Sequence, residues 1–303
     1  MKCLMPPRLA PGDRIGVAAP GGPVRREALE RGVAYLEARG FRPILGKHVG
    51  RRRAYLAGSD RERRDDLNSL IADPEIRAIW CARGGYGSAR IVADLDFEPL
   101  RRRPKALIGY SDITVLQAAV FRKLRLASVY GPLVSELGDP ASYDEPSLWK
   151  ALSDDWSDLA WSLPAASVHR GGSGEGPLLG GCLSLLVSLV GTPFEPSLEG
   201  AVLFWEDVNE EPYRIDRMLG HLRLAGRLKN LSGMVVGRLV GCEAKDAQND
   251  APLREILDAH LSGTDYPVVI DFPAGHAPGK VALPLGRTVH LDAGAPSLAV
   301  SGR

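Results

Sequence analysis

Residues 105–116 read Lys-Ala-Leu-Ile-Gly-Tyr-Ser-Asp-Ile-Thr-Val-Leu, and the predicted fold depends on the junction inside them. The apolar run at 106–108 predicts a buried strand, two residues turn the chain, and helical apolar spacing resumes at 113–121. Ser111 therefore stands where a strand passes into a helix, near the free N–H groups of a helix start. The position suits a nucleophile. It also suits an N-cap, because a serine hydroxyl accepts a hydrogen bond from an N–H two or three residues on, and this stretch alone favours the N-cap.

Strand-like and helical segments alternate through the first 130 residues. Strand-like runs at 14–19, 76–81 and 126–130 are separated by segments with helical apolar spacing. Alternation of this kind predicts an α/β fold, in which a parallel sheet is covered by helices on both faces. Ligands of such sheets bind outside the carboxyl ends of the strands. Ser111 and the glycine-rich turn at 83–87 both fall at those ends.

A change of composition divides the chain. Residues 136–176 are rich in Pro, Gly, Ser and Asp and carry no long periodic segment except at 145–152, so they predict a linker. We therefore expect an N-terminal α/β domain at 1–135 that carries Ser111. A C-terminal domain is expected at 177–303.

The second half is predicted to contain several further strands. Apolar runs at 201–205 and 266–271 precede Glu206 and a turn that contains His276. Alternating apolar residues at 281–291 predict a closing hairpin.

Helix-start signals are clearest in the first half. Ser59 followed three residues later by Glu62 predicts a capping box at the start of a helix with an apolar stripe.

Composition and charge argue against several classes of partner. The chain has 303 residues, 45% of them apolar, and a formal net charge of +1, so nothing draws it toward nucleic acid or an anionic membrane. Its arginine-rich runs, at 51–53, 61–64 and 101–103, lack interleaved aromatic residues and predict a solvated surface. No run approaches the roughly 20 apolar residues that span a bilayer, and the proline-broken N-terminus has no signal-peptide core. We expect a cytoplasmic protein.

The cysteine pattern gives no basis for a metal or redox centre. The four cysteines are scattered and none forms a C-x-x-C pair. The chain also lacks a Walker-type phosphate loop and an H-E-x-x-H zinc helix. We therefore expect reduced thiols, no metal and no organic cofactor.

Three polar residues stand at the ends of three predicted strands. Ser111, Glu206 and His276 offer the roles of a nucleophile triad, namely attacker, orienter and proton carrier. Each is weak evidence alone, because a carboxylate at a strand end is more often a cap or a surface charge, and a lone histidine is more often structural. Of the six histidines, His276 is the one that stands in a glycine-flanked turn after a strand.

Two competing motifs fit poorly. Ile113 occupies the place of the last glycine in G-x-S-x-G, which disfavours the nucleophile elbow of α/β-hydrolases. The glycines at 85 and 87 lead to Arg90, where a dinucleotide-binding fingerprint needs Gly or Ala.

Four segments of the chain form a pattern when they are taken together. They are Arg83-Gly84-Gly85-Tyr86-Gly87, Gly109-Tyr110-Ser111-Asp112, Glu206-Asp207 followed by Pro212-Tyr213-Arg214-Ile215-Asp216-Arg217, and Gly275-His276 with Leu283-Pro284-Leu285-Gly286. In this combination they resemble the LD-carboxypeptidase family of serine peptidases, which also includes microcin-immunity peptidases. No single segment is specific, but they occur in the family's order and span nearly the whole chain. One departure is Cys182, in a glycine turn where the family usually has Asn.

The resemblance implies a fold and a catalytic set. It implies an N-terminal α/β domain that carries Ser111 as nucleophile, and a C-terminal, largely β domain that supplies Glu206 as the acidic member and His276 as the base. The active site is then expected in the cleft between the two domains. The resemblance also implies a homodimer.

Further residues are candidates for the same reaction. The backbone N–H groups of Asp112 and of Gly85 (or Gly84) are the expected oxyanion donors. A carboxypeptidase must also hold a terminal carboxylate, which arginine binds bidentately. Arg83 and Arg214 are candidates for this contact.

The implied activity is hydrolysis of an amide through an acyl-enzyme, with release of C-terminal D-alanine from murein tetrapeptide, as in peptidoglycan recycling. One alternative is an immunity-type peptidase that cleaves aminoacyl-nucleotide amides. Another, from a different class, is a two-lobed protein that binds a small ligand without catalysis. The missing export signal and the three polar residues at strand ends argue against this last alternative.

Overall fold

The computed structural model divides the chain into two units, each built on its own sheet. Unit 1 comprises Met1–Asp155 and Pro278–Gly286, and unit 2 comprises Trp156–Ala277 and Arg287–Arg303. The residues predicted as a linker, 136–176, are divided between the two units and contain a helix, two whole strands and the start of a third. The domain limits drawn from the sequence stay predictions. The structure describes residues 3–153, 156, 159–246, 248 and 250–301.

Unit 1 contains the predicted parallel sheet. Five strands run parallel and a sixth, β12, pairs antiparallel at one edge, in the order β12-β5-β4-β3-β1-β2. Its strands are β1 (Arg14–Ala18), β2 (Arg42–Leu45), β3 (Ile76–Cys81), β4 (Ala106–Gly109), β5 (Ser128–Tyr130) and β12 (Leu283–Leu285).

The inner strands of unit 1 are apolar over consecutive positions because both faces of the sheet are covered. All four residues of β4 are buried, as are five of the six residues of β3; this is the pattern of a parallel sheet between helical layers. The α/β prediction for this half is confirmed. The helices are α1 (Arg26–Ala38), α2 (Asp60–Ala72), α3 (Ser88–Ile91), α4 (Glu98–Arg102), α5 (Thr114–Leu124) and α6 (Glu145–Ser153).

The predicted capping box at the start of α2 is confirmed. The N–H of Glu62 donates to Ser59 Oγ at 3.2 Å, and the N–H of Ser59 donates to Glu62 Oε2 at 2.8 Å. Two N–H groups that a helix start leaves without an intrahelical acceptor are satisfied in this way.

Unit 2 contains an eight-stranded mixed sheet in the order β6-β14-β13-β8-β9-β10-β11-β7. The central four strands, β8 to β11, are parallel, and the flanking strands pair antiparallel. The carboxyl ends of β9 and β11 therefore lie at one edge, with β10 between them. The strands are β6 (Ala160–Ser162), β7 (Val168–Arg170), β8 (Ser173–Cys182), β9 (Val202–Glu206), β10 (Gly233–Arg238), β11 (Val268–Gly275), β13 (Thr288–Asp292) and β14 (Ser297–Val300), and the helices are α7 (Leu183–Leu189), α8 (Pro212–Leu224) and α9 (Leu253–Leu261).

The predicted closing hairpin at 281–291 is wrong. The stretch does contain two strands, but β12 pairs with β5 in unit 1 and β13 pairs with β8 and β14 in unit 2. Gly286, at φ +90°, stands between them. Alternation of apolar residues identifies a half-buried strand, whereas the partner of that strand is chosen by packing elsewhere in the chain.

Candidate active site

Ser111 occupies a strained turn at the carboxyl end of β4. It is the first residue of a 3-10 turn at Ser111–Ile113 and has φ +63°, in the left-handed region. For a residue with a Cβ this conformation costs roughly 1–2 kcal/mol. The N-cap positions of the turn and of α5 belong to Tyr110 and Ile113. The N-cap interpretation of Ser111 is therefore wrong, and the strained turn holds a half-buried serine at the ligand-binding edge of the sheet.

The glycine-rich loop after β3 passes directly beside this serine. A Cβ placed on Gly84 would lie 2.9 Å from Ser111 Cβ and 3.1 Å from Ser111 Oγ. The loop is held from its other side, because the N–H of Gly22 donates to the Gly84 carbonyl at 2.6 Å. Gly84 is thus required for the approach of the loop backbone to the serine hydroxyl.

Asp112 ties the serine turn to the same loop. Its buried carboxylate accepts hydrogen bonds from the N–H of Ser88 at 2.9 Å and from the N–H of Gly87 at 3.3 Å, at the start of α3. Burial raises the pKa of Asp112, although these bonds act in the opposite direction. A Cβ on Gly21 would lie 2.5 Å from Asp112 Oδ2, so a third backbone segment meets this carboxylate. No sequence motif marks Gly21 as a member of this site.

In unit 2 the structure brings Glu206 and His276 together. Glu206 ends β9 with an exposure of 0%, and His276 directly follows β11. His276 Nδ1 lies 2.7 Å from Glu206 Oε2, and the backbone N–H of His276 donates to the same oxygen at 3.2 Å. Because the carboxylate oxygen accepts a hydrogen bond, the proton of the neutral imidazole lies on Nδ1. Nε2 is then the ring nitrogen that can accept a proton.

Two glycines form the slot that the Glu206 side chain occupies. A Cβ on Gly237, in the intervening strand β10, would lie 2.9 Å from Glu206 Cβ and 2.7 Å from the Ala274 carbonyl oxygen. A Cβ on Gly275, which has φ +116°, would lie 2.6 Å from Glu206 Oε2. Gly237 is not among the residues predicted for the site, although an isolated glycine within a strand pattern is a signal of close approach.

Asp207 and Cys182 form a polar group next to Glu206. The buried Asp207 carboxylate accepts from the N–H of Ser184 at 2.8 Å and from its neighbour Val208 at 2.9 Å, and the Cys182 thiol donates to its Oδ1 at 3.3 Å. Burial raises the pKa of the Cys182 thiol, and the charges of Asp207 and Glu206 add to the effect. Cys182 is accordingly a neutral donor here, because a reactive cysteine needs a lowered pKa.

Comparison with known proteins identifies the family. The LD-carboxypeptidase N-terminal domain model matches residues 15–131, and the LD-carboxypeptidase C-terminal domain model matches residues 175–291. The chain belongs to the LD-carboxypeptidase family. Ser111 falls within the first match, and Glu206 and His276 fall within the second.

Individual relatives agree with this assignment over almost the whole chain. The chain is 36% identical over 290 residues to the probable murein peptide carboxypeptidase of Bacillus subtilis, covering 95% of this chain and 91% of the relative. It is 32% identical over 292 residues to the murein tetrapeptide carboxypeptidase of Pseudomonas aeruginosa, covering 92% and 93%. A solved structure of MccF in complex with glutamyl sulfamoyl guanosine matches with a TM-score of 0.89 and 25% identity, covering 99% of both chains. Carboxypeptidase activity is what the family supports.

The two arginines that are candidates for binding the terminal carboxylate of a substrate lie in different units. Arg83 is exposed in unit 1, and its Nη1 donates to the Pro23 carbonyl at 2.5 Å. Arg214 is exposed on the first turn of α8 in unit 2, where its Nε donates to the Tyr213 hydroxyl at 3.0 Å and its Nη1 lies 3.6 Å from Glu210 Oε2. Both remain candidates for this contact.

Two further observations concern only the residues that the structure describes. Among them, no group of three or more His, Cys, Asp or Glu side chains is arranged to hold a metal ion. No helix in the same ranges has the length and apolar character needed to cross a bilayer.

Proposed function

We propose that this LD-carboxypeptidase is a serine peptidase that releases the C-terminal D-alanine of murein tetrapeptide through an acyl-enzyme. The observation that carries the proposal is the 2.7 Å contact between His276 Nδ1 and the fully buried Glu206. A carboxylate in this position orients an imidazole and stabilises the imidazolium that forms when it takes a proton. A solvated surface charge would have no such partner and no such burial.

In the proposed acylation, His276 Nε2 accepts the proton of Ser111 Oγ while that oxygen attacks the amide carbonyl carbon. The tetrahedral intermediate collapses, the C–N bond breaks, and His276 returns the proton to the departing amine. The left-handed turn of Ser111 supports its role as nucleophile, because strained backbone concentrates at reacting residues. In deacylation, water takes the place of the amine and regenerates the Ser111 hydroxyl.

The proposed oxyanion donors are the backbone N–H groups of Asp112 and Gly85 (or Gly84). The Asp112 N–H belongs to the start of a 3-10 turn, where N–H groups lack intrahelical acceptors. The close approach of the Gly84 backbone to Ser111 supports a donor from the neighbouring loop. Removal of one such donor typically costs about 10²–10³ in rate.

Identity to relatives favours a murein peptide as substrate. The proteins from Bacillus subtilis and Pseudomonas aeruginosa, at 36% and 32% identity, are named for murein peptides. The second candidate is cleavage of an aminoacyl-nucleotide amide, because the MccF structure that matches at a TM-score of 0.89 holds glutamyl sulfamoyl guanosine.

Mass spectrometry of the products separates these candidates. The protein is incubated with murein tetrapeptide and, separately, with an aminoacyl sulfamoyl adenosine, and Ser111→Ala serves as the control for each. The proposal expects tripeptide and free alanine from the first substrate only. Cleavage of the nucleotide amide with intact tetrapeptide would favour the second candidate. Binding of either compound without any product would instead favour a non-catalytic binding protein.

A further inference from the structure

An ion pair between a buried lysine and a partly exposed glutamate lies within unit 1. Lys280 has an exposure of 4%, and its Nζ lies 2.8 Å from Glu136 Oε1. The ammonium also donates to the Ser142 carbonyl at 2.9 Å, and Glu136 Oε2 accepts from the N–H of Leu133 at 2.9 Å. Taking charges out of water costs free energy, and the attraction between them does not always offset this cost. Stabilisation of the fold is therefore a weak explanation for an ion pair of this kind.

The ion pair holds Tyr110 at two points. The Tyr110 hydroxyl donates to Glu136 Oε1, the oxygen that Lys280 contacts, at 2.9 Å. Lys280 Nζ also lies 5.1 Å from the centroid of the Tyr110 ring, within cation–π range. The phenol is therefore restrained both at its hydroxyl and over its face.

Tyr110 in turn supports the backbone of Ser111. Its ring packs edge-on against Tyr130, with centroids 5.9 Å apart and planes at 71°. The Tyr130 hydroxyl lies 3.5 Å from the N–H of Ser111, which it accepts as a hydrogen bond. Tyr110 and Ser111 share one peptide unit, so restraint of Tyr110 also limits the orientation of the serine backbone.

The left-handed conformation of Ser111 explains why such restraint is needed. A non-glycine residue keeps a positive φ only where the surrounding structure over-determines it. The hydroxyl of a residue that relaxed toward an ordinary φ would point in another direction.

We propose that Glu136 and Lys280 are positioning residues for Ser111, and that they act through the Tyr110 side chain. The inference rests on the proposed role of Ser111 as nucleophile and adds two residues to that site. Glu136 and Lys280 are 144 positions apart in the sequence, and Lys280 stands four residues after His276. Neither residue touches substrate in this role, and their effect is on the rate at which a correctly oriented Ser111 is acylated.

The test compares Lys280→Met and Tyr110→Phe with the wild-type protein. Lys280→Met keeps much of the apolar stem and removes the ammonium, whereas Tyr110→Phe removes one oxygen and keeps the ring. We expect kcat to fall by about 10- to 100-fold in Lys280→Met and by about tenfold in Tyr110→Phe, with KM within about threefold, because a displacement near 1 Å has effects of this size. The losses should not multiply in the double variant, since both changes affect one contact network.

Lys105 offers a matched control in the same unit. It is 2% exposed, and its ammonium donates to the backbone carbonyls of Leu70 and Asp73 at the end of α2. Lys105→Met therefore also removes a buried ammonium, but not one that contacts Tyr110. We expect Lys105→Met to lower the melting temperature without the fall in kcat. An equal fall in kcat for the two lysine variants would overturn the inference.

The rate at which a fluorophosphonate labels Ser111, followed by intact-protein mass, distinguishes this inference from the proposed function. Labelling should slow in parallel with kcat in Lys280→Met and Tyr110→Phe. If Ser111→Ala keeps full turnover, the proposed function fails. If Ser111→Ala is inactive while Lys280→Met and Tyr110→Phe both keep wild-type kcat and labelling rates, only the positioning role fails. Tyr110→Phe decides the question by itself if Lys280→Met does not fold.

Discussion

In unit 1 the aspartate after Ser111 accepts a hydrogen bond from the N–H of Ser88 at the start of α3, and in unit 2 the aspartate after Glu206 accepts one from the N–H of Ser184 at the start of α7. The topology is the same in both cases. In unit 1, α3 follows β3, and Asp112 follows β4, the parallel neighbour of β3. In unit 2, α7 follows β8, and Asp207 follows β9, the parallel neighbour of β8. Carboxyl ends of parallel neighbours share an edge, so a carboxylate on one reaches the positive helix start that follows the other.

The residues that precede the two aspartates differ in burial and in backbone conformation. Ser111 is half-buried in a left-handed turn, whereas Glu206 is the buried last residue of a regular strand, in a slot formed by Gly237 and Gly275. The same contact between an aspartate and a helix start therefore serves two chemical needs. A nucleophile must be reachable by substrate, while a carboxylate that orients a histidine is most effective away from water.

The largest effect is expected from Ser111→Ala. Loss of the attacking oxygen should lower kcat by about 10⁴-fold or more. Alanine has the same Cβ strain as serine at φ +63°, so the melting temperature should stay close to that of the wild type. Steady-state kinetics and thermal unfolding measure the two quantities. Full activity in a folded Ser111→Ala protein would end the nucleophile assignment.

The histidine and its carboxylate should behave as one unit. His276→Ala is expected to be nearly as damaging as Ser111→Ala. Glu206→Gln should be somewhat milder, because the imidazole remains but loses its charged partner and its preferred tautomer. The double variant should resemble His276→Ala alone, since both residues serve one step. Measured kcat/KM values that multiply in the double variant, or near-normal turnover in Glu206→Gln, would contradict the relay.

The two aspartates test whether the shared helix contact has the same consequence in both units. Asp112→Asn and Asp207→Asn should each lower the free energy of unfolding by about 1–3 kcal/mol, because the amide NH2 that replaces one carboxylate oxygen cannot accept a hydrogen bond from a backbone N–H. Asp112→Asn should also lower kcat by about tenfold, because it loosens the loop that carries a proposed oxyanion donor. Asp207→Asn should change kcat by less than about threefold, because the slot that positions Glu206 is formed by Gly237 and Gly275 and not by Asp207. Urea unfolding measures the free energies, and steady-state kinetics measure kcat for both variants. Equal losses of kcat would contradict the difference expected between the two units.

The smallest expected effect is a pH dependence that belongs to Asp112. Burial raises its pKa, so the folded state binds the proton more tightly than the unfolded state, whose pKa is about 3.9. The resulting contribution to stability is present below pH ~4 and is lost as pH rises through the folded pKa. The stability advantage of wild type over Asp112→Asn should therefore shrink from pH ~4 upward. Ser111→Ala, which keeps the carboxylate, is the control, and an advantage that grows with pH would refute the prediction.

Much of the fold in unit 1 could be predicted because its signals are local. The apolar run before Ser111 is β4, and the Ser59–Glu62 spacing is a capping box, since each depends on residues within a few positions of one another. The left-handed φ of Ser111 could not be predicted in this way. An N-cap and a strained turn share the same residue types at a helix start, and long-range packing chooses between them.

Local sequence patterns are enough to indicate that strands and helices alternate in the first half, that Ser111, Glu206 and His276 stand at strand ends, and that the chain resembles LD-carboxypeptidases. The contact between Glu206 and His276, which are 70 residues apart, depends on long-range packing and on a slot formed by two glycines. The contact of Glu136 with Lys280 and the Tyr110 hydroxyl depends on long-range packing as well. Long-range packing also places β12 and β13 in different sheets. The physical reason is that periodicity reports which face of an element is buried, whereas the partner on that face is fixed by packing between residues distant in the chain.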